Sequence, residues 1–177
     1  FLSMLKSVDV YFIADTRDTA YLYFQNCAVK ITKDDTTIID YLDLEGFVWK
    51  DHVIHRVYQE CEDTHCDFKT FIFNVCNKDN VRVKSMESTL GYLLHAHKNL
   101  SYSPAVILND EVISDQPNGG TGKSLLVNAL GQMKKLVIID GKAFAFERSF
   151  AYQLVSADTQ LLCFDDIKKH FEFERLF

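Results

Sequence analysis

Three closely spaced glycines followed by a lysine and a serine (Gly119, Gly120, Gly122, Lys123 and Ser124) are the residue types with which a backbone loop holds phosphate. Glycine enters positive φ without steric cost, so such a loop can curl with its N–H groups pointing inward at phosphate oxygens. A helix starting near Lys123 would aim its unpaired N–H groups and the positive end of its dipole at the same anion. Lys123 then supplies a point charge to the β- and γ-phosphates and Ser124 a hydroxyl to Mg²⁺, which is why Ser or Thr must follow the lysine. The nucleotide-holding set is Asn118, Gly119, Gly120, Thr121, Gly122, Lys123, Ser124 and Leu125, the last of which opens the apolar run Leu125-Leu126-Val127. Pro117 stands where the motif G-x-x-x-x-G-K-[ST] has its first glycine. The bland alternative is a glycine-rich surface turn before an ordinary helix.

A phosphate loop hydrolyses nothing without acids, and Gln160-Leu161-Leu162-Cys163-Phe164-Asp165-Asp166 supplies them. A continuous apolar run ending in two carboxylates fits a buried parallel strand whose acids emerge at the ligand end of a sheet. Asp165 would hold Mg²⁺, directly or through water, together with Ser124. Asp166 would position or deprotonate the attacking water. Lys123, Asp165 and Asp166 are therefore the candidate catalytic residues, with ATP and Mg²⁺ as the ligands they imply. The competing account is a strand whose acids only cap the next helix.

The surrounding pattern tells which elements must place these groups. Three short β-rich runs at 20–25, 28–32 and 36–41 read as an antiparallel meander, with Val29 and Ile31 alternating against Lys30 and Thr32. Asp67 reads as the cap of a helix with Phe68, Phe71, Ile72 and Val75 on one face. A second helix is expected from about Ser85, since Met86, Leu90, Leu93 and Leu94 fall at helical spacing; His95 and His97 near its end read as favourable C-terminal charges or surface residues. Then come a strand at 105–109, the glycines, a helix to about Met133, a strand at 136–140 stopped by Gly141, a helix at 143–155 and the strand ending in the acids. That order is a βαβαβ pattern. The expected division is 1–84, a small α+β domain, and 85–177, an α/β P-loop core with an incomplete parallel sheet.

Composition is that of an ordinary globular chain: 177 residues, 47% hydrophobic and 25% charged. No stretch approaches the roughly 18 uninterrupted apolar residues of a membrane span, and the start does not resemble a signal peptide, so a soluble, cytoplasmic protein without a membrane partner is expected. Five scattered cysteines suit reduced thiols. The net charge of −6 is spread without a basic tract, and Lys134-Lys135 and Lys168-Lys169 read as solvated faces or helix ends. Trp49, beside Lys50, His52, His55 and Arg56, reads as a core anchor, with nucleic-acid stacking as the alternative. Cys61, His65 and Cys66, with His52 or His55, are too few and too irregularly spaced for a standard zinc site, and a polar loop is the simpler account.

The segment from about Leu90 to Phe177 resembles the superfamily 3 helicase core of phage and plasmid primase-helicases, which are AAA+ ATPases. Asn118-Gly119-Gly120-Thr121-Gly122-Lys123-Ser124 and Leu162-Cys163-Phe164-Asp165-Asp166 carry the likeness, with about forty residues between the lysine and the acids. The preceding region, from Ala20 through Trp49 to Gly91-Tyr92-Leu93-Leu94, is similar to the part before the ATPase in phage-type members. The resemblance implies ATP hydrolysis by a homo-oligomeric ring, usually a hexamer, moving along single-stranded DNA in the cytoplasm of a bacterial or phage-infected cell. A primase domain often shares the polypeptide. Sheets of this family have five strands, while the chain supplies the P-loop strand, the next one and the acid-ended one. The sensor asparagine, DNA-gripping hairpin and arginine finger would lie later, and Arg148 and Arg175 have no motif around them. Both ends read as cut, so the chain is expected to keep the nucleotide site without full activity. Other classes compatible with the loop are a P-loop kinase-type phosphotransferase, which would need an acceptor pocket and an arginine-rich lid, and a non-catalytic nucleotide-gated assembly module.

Overall fold

The computed structural model describes residues 9–61, 65–99, 101–111 and 119–176. The chain is mixed α/β and divides into two units, one of residues 1–62 with 95–104, the other of residues 63–94 with 105–177. The expected boundary between Lys84 and Ser85 falls inside a helix of the second unit.

The first unit is built on a four-stranded sheet. β1 (Thr19–Phe24), β2 (Ala28–Thr32) and β3 (Thr36–Ile39) form the antiparallel meander that their alternation predicts. A short β4 (Val53–Ile54), too brief to leave a pattern, pairs parallel with β1 and completes the order β3-β2-β1-β4. Tyr23, Ala28, Val29 and Ile54 are its buried residues. The stretch after residue 94 returns to this unit: Ala96 N–H donates to Asp15 Oδ2 at 2.8 Å, and His95 Nε2 lies 2.7 Å from Thr16 O. His95 thus bonds to backbone rather than serving only as a helix-end charge. Trp49 is not a core anchor. It is 41% exposed and stacks on Phe12 with centroids 4.4 Å apart, because its neighbours in sequence lie in a single 3₁₀ turn, Lys50–His52.

The second unit places the candidate site. α1 (Asp67–Val75) begins with Cys66 as its cap, one residue earlier than the sequence suggests, and ends where Asn77 turns left-handed and Lys78 N–H reaches back to Phe73 O. α2 (Asn80–Leu94) starts five residues before the expected Ser85, because Asp79 Oδ1 accepts from Val81 N–H at 2.7 Å and caps it. α3 (Lys123–Gly131) follows the glycines. Ile72, Cys76, Leu90, Leu126 and Leu130 bring the three helices into one core, against which Leu108 and Leu161 also pack.

β5 (Leu136–Asp140) and β6 (Leu161–Asp165) form a parallel pair with Leu136 opposite Leu161 and Asp140 opposite Asp165. Two expected elements are not formed. Residues 105–109 join no ladder among the described residues; Leu108 meets the core while Ile107 is 65% exposed, so one side of the segment lacks cover. Residues 143–155 make successive i→i+3 turns in place of a helix. Phe144 and Phe146 both pack on Phe171, and Phe144 also meets Phe164 and Tyr152 edge-on. Side chains two apart lie on opposite sides of an α-helix, so a helix would pull Phe144 and Phe146 out of this shared cluster. The stretch 167–176 contributes Phe171 and a 3₁₀ turn, Phe173–Leu176, with Arg175 bound to Glu147 and Glu172 and lying over the Phe146 ring. Lys134 and Lys135 do not form a solvated face: Lys134 is buried, and Lys135 reaches Asp158. Among the described residues no helix is long and apolar enough to cross a membrane.

Candidate functional site

Gly120 and Gly122 both take positive φ, 90° and 92°, the conformation that curls the loop before α3. At Gly122 a Cβ would also come within 3.0 Å of the Phe71 ring, so α1 packs against the loop where only glycine fits. Gly122 caps α3, and its carbonyl accepts from Leu126 N–H at 3.0 Å, which leaves the first N–H groups of the helix turned toward the loop. Gln116, Pro117 and Asn118 lie outside the described residues. Ser124 and Leu125 are exposed in the first turn of α3.

Lys123 already holds an oxyanion. Its Nζ donates to Asp110 Oδ1 at 2.6 Å and to Thr121 Oγ1 at 2.8 Å. The Lys123 ammonium and the Thr121 hydroxyl hold the Asp110 carboxyl below the usual carboxylate range. The loop lysine is thus paired with a carboxylate, and a phosphate oxygen would compete with Asp110 for the same ammonium. No sequence motif singles out Asp110, because no spacing rule marks an acid shortly before a glycine loop as the partner of its lysine.

Asp165 ends β6, and Asp166 follows with φ 52°, a left-handed residue. Both are exposed at the C-terminal ends of the parallel strands. Gly141 N–H donates to Asp165 O at 2.6 Å, and a Cβ on Gly141 would lie 2.8 Å from that oxygen and from Ile167 Cα. Glycine is therefore what lets the turn after β5 close against the turn after β6. Lys142 Nζ donates to Asp166 Oδ2 at 2.8 Å. Asp166 is held below the ordinary carboxylate range first by that hydrogen bond and the Lys142 charge, and also by the charge of Lys123. Lys142 was not singled out from the sequence, although a lysine directly after a strand-ending Asp-Gly faces whatever the neighbouring parallel strand carries.

Among the described residues no group of three His, Cys, Asp or Glu side chains could by itself hold a metal ion. Mg²⁺ bound with a nucleotide needs no such cage, since it takes one or two protein oxygens and completes its shell with phosphates and water. The Ser124 hydroxyl and the Asp165 carboxylate are hard oxygen donors of that kind. No protein-family model matches the chain, and neither a curated protein nor a solved structure matches it.

Proposed function

We propose that the chain is the ATP-binding and hydrolysing part of a replicative DNA helicase of the superfamily 3, primase-helicase type, with a P-loop core of AAA+ kind. The observation that carries the reading is geometric: Gly120 and Gly122 take positive φ in the loop that leads into α3 at Lys123, and Asp165 and Asp166 stand exposed at the C-terminal ends of the parallel pair β5 and β6. In this reading the backbone from Asn118 to Gly122 cradles the phosphates, Lys123 pairs with the β- and γ-oxygens, and Leu125 lies beside them in the first turn of α3. Ser124 and Asp165 hold Mg²⁺, which neutralises phosphate charge, and Asp166 orients the attacking water. A ring of such chains on single-stranded DNA, in the cytoplasm of a bacterial or phage-infected cell and in a polypeptide that also carries a primase, is the setting that the resemblance supplies.

The test follows the γ-phosphate. With γ-labelled MgATP, a mixture of nucleoside monophosphates and excess protein, the label is expected as inorganic phosphate; label recovered on a nucleoside phosphate would replace the hydrolase reading with a kinase. Asp110 adds a prediction of opposite sign to most site mutations. Its carboxylate competes with phosphate for Lys123 and repels it, so Asp110→Asn is expected to tighten ATP binding about fivefold by calorimetric titration. Unchanged or weaker binding would mean that Asp110 does not occupy the phosphate position.

A further inference from the structure

Lys142 pairs with a strand-end acid and has no role in the proposed nucleotide or metal contacts. Its position is fixed at three levels. The parallel register sets Asp140 opposite Asp165, and Gly141 N–H binds Asp165 O, so the turns after β5 and β6 are tied through their backbones. Asp140 Oδ1 then accepts from Lys142 N–H at 2.8 Å and Ala143 N–H at 3.1 Å, an Asx turn that fixes where the Lys142 side chain departs. From there Nζ reaches Asp166 Oδ2 at 2.8 Å.

The two side chains are 67% and 72% exposed, and ion pairs of that exposure add little to folding. Their anchored backbones give the pair a different use. Asp166 is left-handed and lies just past the end of β6, so no ladder braces its side chain. A carboxylate that orients water must stay within hydrogen-bond reach of it, and an unbraced one would spend part of its time turned away.

We infer that Lys142 is a positioning residue for hydrolysis: its ammonium holds the Asp166 carboxylate in one orientation at the strand ends while Lys123 takes the phosphates. The inference rests on the proposed role of Asp166. Its signature is a loss of rate without a loss of nucleotide affinity, and arginine, which keeps the charge and the reach, should substitute.

The experiment uses the full chain and two readouts. Three-bond couplings to the Asp166 carboxyl carbon, measured by NMR, should report one χ1 rotamer in the wild type and in K142R, and an averaged value in K142M. In single-turnover hydrolysis K142M is expected to slow phosphate release about tenfold with the ATP dissociation constant unchanged, as expected of a loosened but intact group. K142R should recover most of the rate, and K142M combined with D166N should be no slower than D166N alone. Unchanged couplings in K142M, losses that multiply in the double variant, or a weaker ATP affinity in place of a slower step would each overturn the inference. A wild-type chain that binds ATP and releases no phosphate, with couplings still dependent on Lys142, would overturn the hydrolysis reading and leave the orienting ion pair standing.

Discussion

Lys123→Ala is expected to weaken MgATP binding about 100-fold or more, the scale of losing a charge-assisted hydrogen bond and leaving an uncompensated anion in its place. Two effects add. The ammonium that would meet the β- and γ-oxygens is gone, and Asp110, now without its 2.6 Å partner, still presents a negative charge to the phosphates. The fold should tolerate the change, since Lys123 opens α3 with a side chain 39% exposed and alanine is a good helix former. Leu126 and Leu130, which dock α3 on the core, are untouched. Calorimetric titration with MgATP, paired with a thermal melt by circular dichroism, separates the two. Loss of binding with an unshifted melt supports the phosphate role, whereas ATP binding at wild-type strength would remove Lys123 from the site and with it the nucleotide reading. Combining Lys123→Ala with Asp110→Asn should restore part of the affinity, because the repelling carboxylate is then neutral.

The parts of this site that could be read from sequence are those with local causes. Val29 and Ile31 alternate against polar neighbours, and β2 forms where they do; the apolar runs ending at Asp140 and Asp165 become β5 and β6 with their acids in register. Gly120 and Gly122 have positive φ because the loop demands it, and composition alone announces such a demand. What failed depended on partners distant in the chain. Residues 105–109 have the apolar content of a strand, but a strand needs a ladder neighbour, and none forms among the described residues. Residues 143–155 have helical composition, yet Phe171, far along the chain, draws Phe144 and Phe146 into one aromatic cluster that a helix could not supply. Asp110 and Lys142 escaped notice for the same reason. Each acquires its meaning from an ion pair closed by tertiary structure, with Lys123 and with Asp166, and neither sits in a motif.

Asp166→Asn should separate chemistry from binding. Asparagine is nearly isosteric with aspartate and shares its tolerance of the left-handed region, so the backbone at φ 52° need not shift. The exposed side chain makes no core contact whose loss could unfold the unit. What changes is the charge. A neutral amide cannot take a proton from water, and general-base catalysis of this kind contributes about 100- to 10,000-fold, so single-turnover phosphate release should fall by at least about 100-fold. MgATP affinity should hold or rise slightly, because a negative charge near the phosphates has been removed while Lys123, Ser124 and Asp165 remain. Size-exclusion chromatography with and without ATP supplies the second readout. If ATP drives association equally well in wild type and Asp166→Asn while hydrolysis is lost only in the variant, binding organises the assembly and hydrolysis resets it, as a translocating ring requires. If instead Asp166→Asn hydrolyses at the wild-type rate, Asp166 is not the water-orienting group. Persistent ATP-driven association with no hydrolysis in either protein would make the chain a nucleotide-gated assembly module, whose acids serve only to place Lys142 and the metal.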